Sequence, residues 1–244
     1  MRTLISSEHL KLRTLRLPSL LLAGGTILAV AIGVAGVLVQ EAGATVDVTQ
    51  AARAATAPLW FLVAVVAILA SAGEFQHHTI RTTLLSAPRR TDVLASKAVV
   101  IAGYGAAMTG LGMIASMLAA SITAQIHGLR LEPGDMATWS GLAGAVLAGA
   151  LFGMLASALG MLTRGTALAL TALLLWYFVG EGVLPVVLRQ PGLSHWTPTG
   201  VATTIIDPAS QQAATVLASA ATLIGYAAVF SAAAAWMLLQ RDPD

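Results

Sequence analysis

Along the chain, apolar residues do not alternate with polar ones; they run. Stretches free of Asp, Glu, Lys and Arg cover residues 17–40, 54–73, 98–129, 136–163, 165–180 and 208–240. About 20 apolar residues carry a helix across the hydrocarbon core of a bilayer. Five of the six stretches suffice alone. The fifth is short, but its apolar pattern resumes after Glu181 and continues to Leu188. The pattern therefore predicts an all-α integral membrane protein, one domain over 1–244, with six transmembrane helices at about 18–40, 56–74, 98–124, 139–163, 166–188 and 213–239. Only Arg164-Gly165-Thr166 separates the fourth from the fifth, which predicts a tight helical hairpin. A transmembrane barrel would need alternating strands, and runs such as 62–69 and 173–179 do not alternate. Helices also satisfy their own backbone hydrogen bonds in lipid.

The segments between spans are short. Residues 1–16 form a lead with weak amphipathic character, in which Ser7 can cap a helix that begins at Glu8. An interfacial helix and a plain basic anchor both fit it. Pro18 predicts a break before the first span. Ala29-Val30-Ala31 imitates a signal-peptide cleavage site, but the apolar run around it exceeds the roughly 7–15 residues of a signal sequence, so it reads as a retained span. Residues 41–53 read as a small polar loop, and Glu132-Pro133-Gly134-Asp135 as a turn. Residues 181–208 are unusual. Prolines 191, 198 and 208 and Gly192 break them, yet Trp196 and the apolar stretch 201–206 predict short re-entrant helices dipping into the outer leaflet. Gly149, Gly153 and Ser157 form a small-residue stripe at four-residue spacing, suited to close packing within one subunit or to dimerisation.

Composition sharpens this. Only 10% of residues are charged, against roughly 25% in a soluble domain, and 57% are hydrophobic, with a mean hydropathy of +0.82. That excludes a soluble enzyme, a disordered chain and a nucleic-acid-binding module. With no cysteine, disulfides and thiolate chemistry are absent. Of 13 basic residues, ten fall on the side that holds both termini: Arg2, Lys11, Arg13, Arg16, Arg81, Arg89, Arg90, Lys97, Arg164 and Arg241. The positive-inside rule then predicts that both termini are cytoplasmic.

Candidate chemistry is sparse. An ionisable group inside a membrane is costly and marks function by default. Four spans carry none; Glu74 ends the second and Glu181 lies toward the outer end of the fifth. All five histidines fall in loops or at span ends, and no HExxH or GxxxxGK[ST] occurs. No catalytic or metal-ligating residue is expected, and uphill transport would draw its energy from a partner. The place for a partner to push is 74–97, EFQHHTIRTTLLSAPRRTDVLASK. Before Pro88, residues 79–87 suit a short helix bearing Ile80, Leu84 and Leu85 and flanked by Arg81, Arg89 and Arg90; beyond it, Thr91 and Asp92 can start the third span. From the residues alone, a docking helix and a positive-inside anchor that happens to be helical stand level.

This segment resembles the inner loop of ABC-2-type permease subunits of ATP-binding-cassette transporters, especially small bacterial ones. The matching residues are Glu74-Phe75, His77, Thr79-Ile80-Arg81, Leu84-Leu85, Pro88-Arg89-Arg90 and Lys97; His78 departs from the pattern, standing where related chains carry glycine. Ser7-Glu8, Leu10-Lys11 and Arg13 resemble the family's leading interfacial helix. Six spans, inward termini and a broken outer segment are also similar to its plan.

The resemblance implies an ABC-2 (type V exporter-like) transmembrane domain in the bacterial plasma membrane. It implies a coupling helix formed by Thr79, Ile80, Arg81, Thr82, Thr83, Leu84, Leu85, Ser86, Ala87, Pro88 and Arg89. That helix would rest on a separate ABC ATPase, present in two copies and holding the ATP and Mg that this chain lacks. A second permease chain, identical or paralogous, would complete the pathway. Glu181, Pro185 and Trp196 would lie at the outer gate. The implied function is export of drugs, antibiotics, peptides or lipids, with no enzyme activity in this chain by itself and no nucleic-acid partner. The residues leave open an intramembrane enzyme using Glu181 or His195, and a passive scaffold.

Overall fold

The computed structural model describes residues 2–14, 16–41, 44–76, 90–132, 134, 136–189, 191–207 and 213–240. Helix α1 (Arg2–Thr14) leads into α2 (Arg16–Leu38), strand β1 (Thr45–Asp47) and α3 (Val48–Gln76). Then come α4 (Arg90–Ile126), β2 (Arg130–Glu132) and α5 (Met136–Thr163). Helix α6 (Thr166–Leu174) widens into π-helical turns over Leu175–Val183 and returns to α geometry as α7 (Leu184–Val187). A 3₁₀ turn (Pro191–Trp196), α8 (Pro198–Ile206) and α9 (Ala213–Gln240) complete the chain. Among the described residues, six helices are long and apolar enough to cross a membrane: Arg16–Leu38, Val48–Gln76, Thr91–Ile126, Thr138–Thr163, Thr166–Val183 and Thr215–Leu238. The architecture is that of an all-α, multi-pass membrane protein.

Four features differ from the expectation. Helix α2 runs straight through Pro18, which sits in its first turn, where no intrahelical N–H is required. Much of the supposed polar loop 41–53 is helix. Asp47 accepts hydrogen bonds from the Thr49 N–H (2.9 Å) and hydroxyl and thus caps α3, which begins at Val48 rather than near 56. Arg53, now inside the helix, reaches back to Asp47 at 3.1 Å. Helix α1 begins at Arg2 rather than at Glu8, so Ser7 lies inside it and its hydroxyl donates to the Leu4 carbonyl at 2.8 Å instead of capping a helix start. Finally, β1 and β2 pair in parallel, Val46 opposite Leu131, and tie the two long connections together at the end away from the termini.

Helix α3 is the hub, packed against α2, α4, α5 and α6. It carries small residues at its crossings and large ones between them. Trp60 is fully buried, stacks on Phe152 of α5 at 5.2 Å and donates its indole N–H to the Ala145 carbonyl. Ser71 shares a 2.7 Å hydrogen bond with Ser157. The small-residue stripe is consumed within the chain: a Cβ on Gly149 would collide with Thr109 and stand 2.9 Å from the Gly105 carbonyl, and one on Gly153 would lie 3.1 Å from the Ile101 carbonyl. Backbone approach of this kind supplies the dispersion contact that joins helices where water does not drive them together. The α5–α6 turn is as tight as expected, with Arg164 in the left-handed region at φ 53° and its guanidinium 5.7 Å from the Phe75 ring centroid. At the other end, α8 packs on α5 and α9 with Val201, Ala202, Ile205 and Ile206 buried. Ile205 sits over Gly144, eight residues and so about 12 Å along α5 from its start.

Candidate functional site

The expected coupling residues, Thr79 to Arg89, lie outside the described residues, as do His77 and His78. What is described is how the two ends of that segment are held. Glu74 lies two residues before the end of α3, and Lys97 is the eighth residue of α4. Lys97 bridges Glu74 at 3.0 Å and Glu8 of α1 at 2.8 Å, and Lys11 bridges Glu8 and, at 2.9 Å, Glu74. Glu8, Glu74 and Lys97 are all buried, whereas Lys11 is partly open. Two acids and two bases thus close a neutral ring across three helices. Burial alone would raise the Glu8 carboxyl, but Lys97 and Lys11 outweigh it and hold it below its ordinary value of 4.5. Lys11 is raised for the complementary reason: hydrogen bonds to Glu8 and Glu74 exceed the effect of burial. Nearby, the Tyr104 hydroxyl donates to the Pro18 carbonyl at 2.7 Å, joining α4 to the start of α2. A cavity of about 580 Å³ opens beside the ring, apolar along Leu21, Val66, Leu69 and Ile101.

Sequence reasoning named all four charged residues without pairing them. Only Glu8–Lys11, at i and i+3, was a local signal; Glu8 and Lys97 are 89 residues apart.

The second cluster lies at the opposite end, around the expected gate residue Glu181. Its Oε1 accepts the Trp176 indole N–H at 3.1 Å and the Thr199 backbone N–H at 3.3 Å. The π-helical turns make the first bond. In α geometry residues five apart diverge around the axis, whereas i→i+5 bonding stacks them. The second bond places a carboxylate at the N-terminus of α8, the favourable end of its dipole. Helix α8 starts there because Thr197 accepts the Gly200 N–H (3.1 Å) and Pro198 occupies the first turn. Tyr226 of α9 donates to the Trp196 carbonyl at 2.6 Å.

The other two gate residues are not gathered here. The Trp196 indole is exposed, and Pro185 belongs to the four-residue α7. Instead, a small cavity beside Glu181 is lined by Trp60, Phe61, Phe152, Trp176 and Tyr177. Phe61 and Tyr177 lean together at 5.0 Å. The five-residue spacing from Trp176 to Glu181, which itself sits between glycines 180 and 182, was the available signal, but it requires knowing that the helix widens.

The chain matches no protein-family model and no curated protein.

Proposed function

We propose that the chain is the permease subunit of an ATP-binding-cassette exporter of the ABC-2 class, forming half of a pathway and driven by a separate ATPase through a cytoplasmic helix at 79–88. The observation that carries the reading is the ring of ion pairs at the roots of that segment. Glu74 and Lys97 flank it on either side and are locked to each other and to α1. A push on the intervening residues therefore enters α1, α3 and α4 together instead of being lost in bending one loop. Charges buried in a low dielectric resist separation, which suits them to transmitting force. The absence of GxxxxGK[ST] from the sequence fits an energy source on another chain. The face of α6 and its π-helical extension buries only Ala169 within the chain, and in this reading that open face borders the pathway which a second permease would complete.

The test is co-expression with the product of a neighbouring reading frame that carries a GxxxxGK[ST] motif and no span of its own; the absence of any such ATPase that copurifies counts against the reading. The two proteins are expected to copurify and to expel a fluorescent drug from a test panel in vesicles. The double substitution Leu84→Asp/Leu85→Asp is expected to leave ATP hydrolysis running while efflux falls at least about tenfold, a loss of about 1.4 kcal/mol of coupling. Efflux at the wild-type rate in that variant refutes the coupling helix.

A further inference from the structure

The two acids that lie toward the ends of apolar spans are treated differently. Glu74 has lysines beside it; Glu181 has dipoles only. Among the described residues no Lys or Arg forms an ion pair with Glu181. Of the three basic residues on its face, Arg53 pairs with Asp47, and Arg130 and Arg189 are exposed. An indole N–H and a backbone N–H orient one carboxylate oxygen but leave the negative charge uncancelled. Around it the chain concentrates aromatic side chains: five of its thirteen aromatic residues line the adjoining cavity, together with alanines and leucines of α3, α5 and α6. Aromatic faces attract cations, and they do so most strongly where water is excluded.

We infer that Glu181 and the cage of Trp60, Phe61, Phe152, Trp176 and Tyr177 form a binding site for the ammonium head of an organic cation. Trp60 and Phe152, stacked at 19°, form one wall, and Phe61 with Tyr177 forms another. Trp176 stands at the rim, half exposed and held by Glu181. The cavity measures about 50 Å³. That is room for roughly three to five waters, hence for an ammonium head. It is too small for a whole drug-sized molecule, whose sites run to roughly 300–1,000 Å³. The apolar remainder of such a ligand would lie along the uncovered side chains of the π-helical segment, so the ligand class is an amphiphilic amine or quaternary ammonium. Calling that ligand cargo rests on the exporter reading; the site itself does not.

The experiment is a binding titration on the purified full chain in nanodiscs, without ATPase, followed by tryptophan fluorescence. The probes are benzyltrimethylammonium and its uncharged carbon isostere, neopentylbenzene. The cation is expected to bind wild type at least about tenfold more tightly than the isostere, and Glu181→Gln is expected to erase that preference. Glutamine keeps an acceptor for Trp176 and Thr199, so the variant should fold, with unchanged elution on size exclusion as the check. Phe61→Leu, a second variant, should weaken the cation several-fold and the isostere little. Equal binding of the two probes to wild type, or a cation preference that survives Glu181→Gln, overturns the inference. Neither result touches the copurification and efflux assays, so this site and the exporter reading fail separately.

Discussion

Replacing Lys97 by Met keeps the buried stem and removes the charge. Lys97 stands 2.8 Å from one Glu8 oxygen and 3.0 Å from one Glu74 oxygen, and its side chain is only 3% exposed. At an effective dielectric near 20, each contact is worth roughly 6 kcal/mol before desolvation is counted. Most of that is offset by the cost of burying the ions, so removing one partner and stranding the others should cost about 3–5 kcal/mol. Lys11→Met supplies the internal comparison. Its side chain is 41% exposed, so water takes over its role and the loss should stay near 1 kcal/mol or below. For a chain of this size about 2–4 °C of melting temperature accompanies each kcal/mol, placing Lys97→Met roughly 6–20 °C below wild type and Lys11→Met at most a few. The pH dependence gives a second readout. Because the folded Glu8 carboxyl lies below its ordinary 4.5, its stabilisation is present above that value and is lost as pH falls through the folded one. In Lys97→Met burial is less opposed, so the acid-side loss should begin at higher pH. Thermal unfolding in detergent across about pH 3 to 7 measures both. Equal melting temperatures for the two lysine variants would refute the claim that burial decides the energetics of the ring.

Two packing predictions accompany it. Gly149→Ala drives a methyl into Thr109 and the Gly105 backbone and should cost about 1–3 kcal/mol, whereas Gly36→Ala meets open space and should be neutral or stabilising by up to about 1 kcal/mol; unfolding midpoints that do not separate the two would show that the α4–α5 crossing is loose. Asp47→Ala removes the cap of α3 and should cost about 1–2 kcal/mol, while Asp47→Asn keeps the acceptor and loses only the Arg53 pair, for less than about 1 kcal/mol; equal losses would assign the effect to the ion pair.

The six spans were legible because lipid solvates no charge, so an uncharged run of sufficient length has few other fates. Their ends were less so. Stopping each span at its first charge cut α3 short at Arg53, yet the helix continues because Asp47 neutralises that arginine and caps the first turn. Strands β1 and β2 are three residues each, too short for period-two alternation to register, and their pairing joins positions 85 apart. The π-helical turns are invisible for a different reason: Leu175–Val183 is an ordinary apolar sequence, and only the bonding partner, five residues back rather than four, defines the change. The glycine stripe was readable as a place of close approach, but not which helix approaches. Glu8, Lys11, Glu74 and Lys97 could each be named from the sequence, but their ring is a property of three helix ends meeting, which no local spacing encodes.

Glu74 and Glu181 then pose the same electrostatic problem with two solutions. A carboxylate toward the end of an apolar span requires compensation. Lysine compensation is complete: once Lys97 and Lys11 surround Glu74, the charge is cancelled and pulling any member away strands the rest. A junction of that kind favours one arrangement, which is what a segment transmitting a push requires. Dipole compensation is partial. The Trp176 and Thr199 N–H groups hold Glu181 in place while its net charge persists, so an arriving cation still gains energy and a departing one leaves an oriented site behind. Exchange of occupants requires that second kind of chemistry, since a permanent counter-ion would have to be displaced each time. In the proposed transport cycle the ion-pair ring at the end with the termini would serve as the rigid junction and Glu181 at the other end as the exchangeable one.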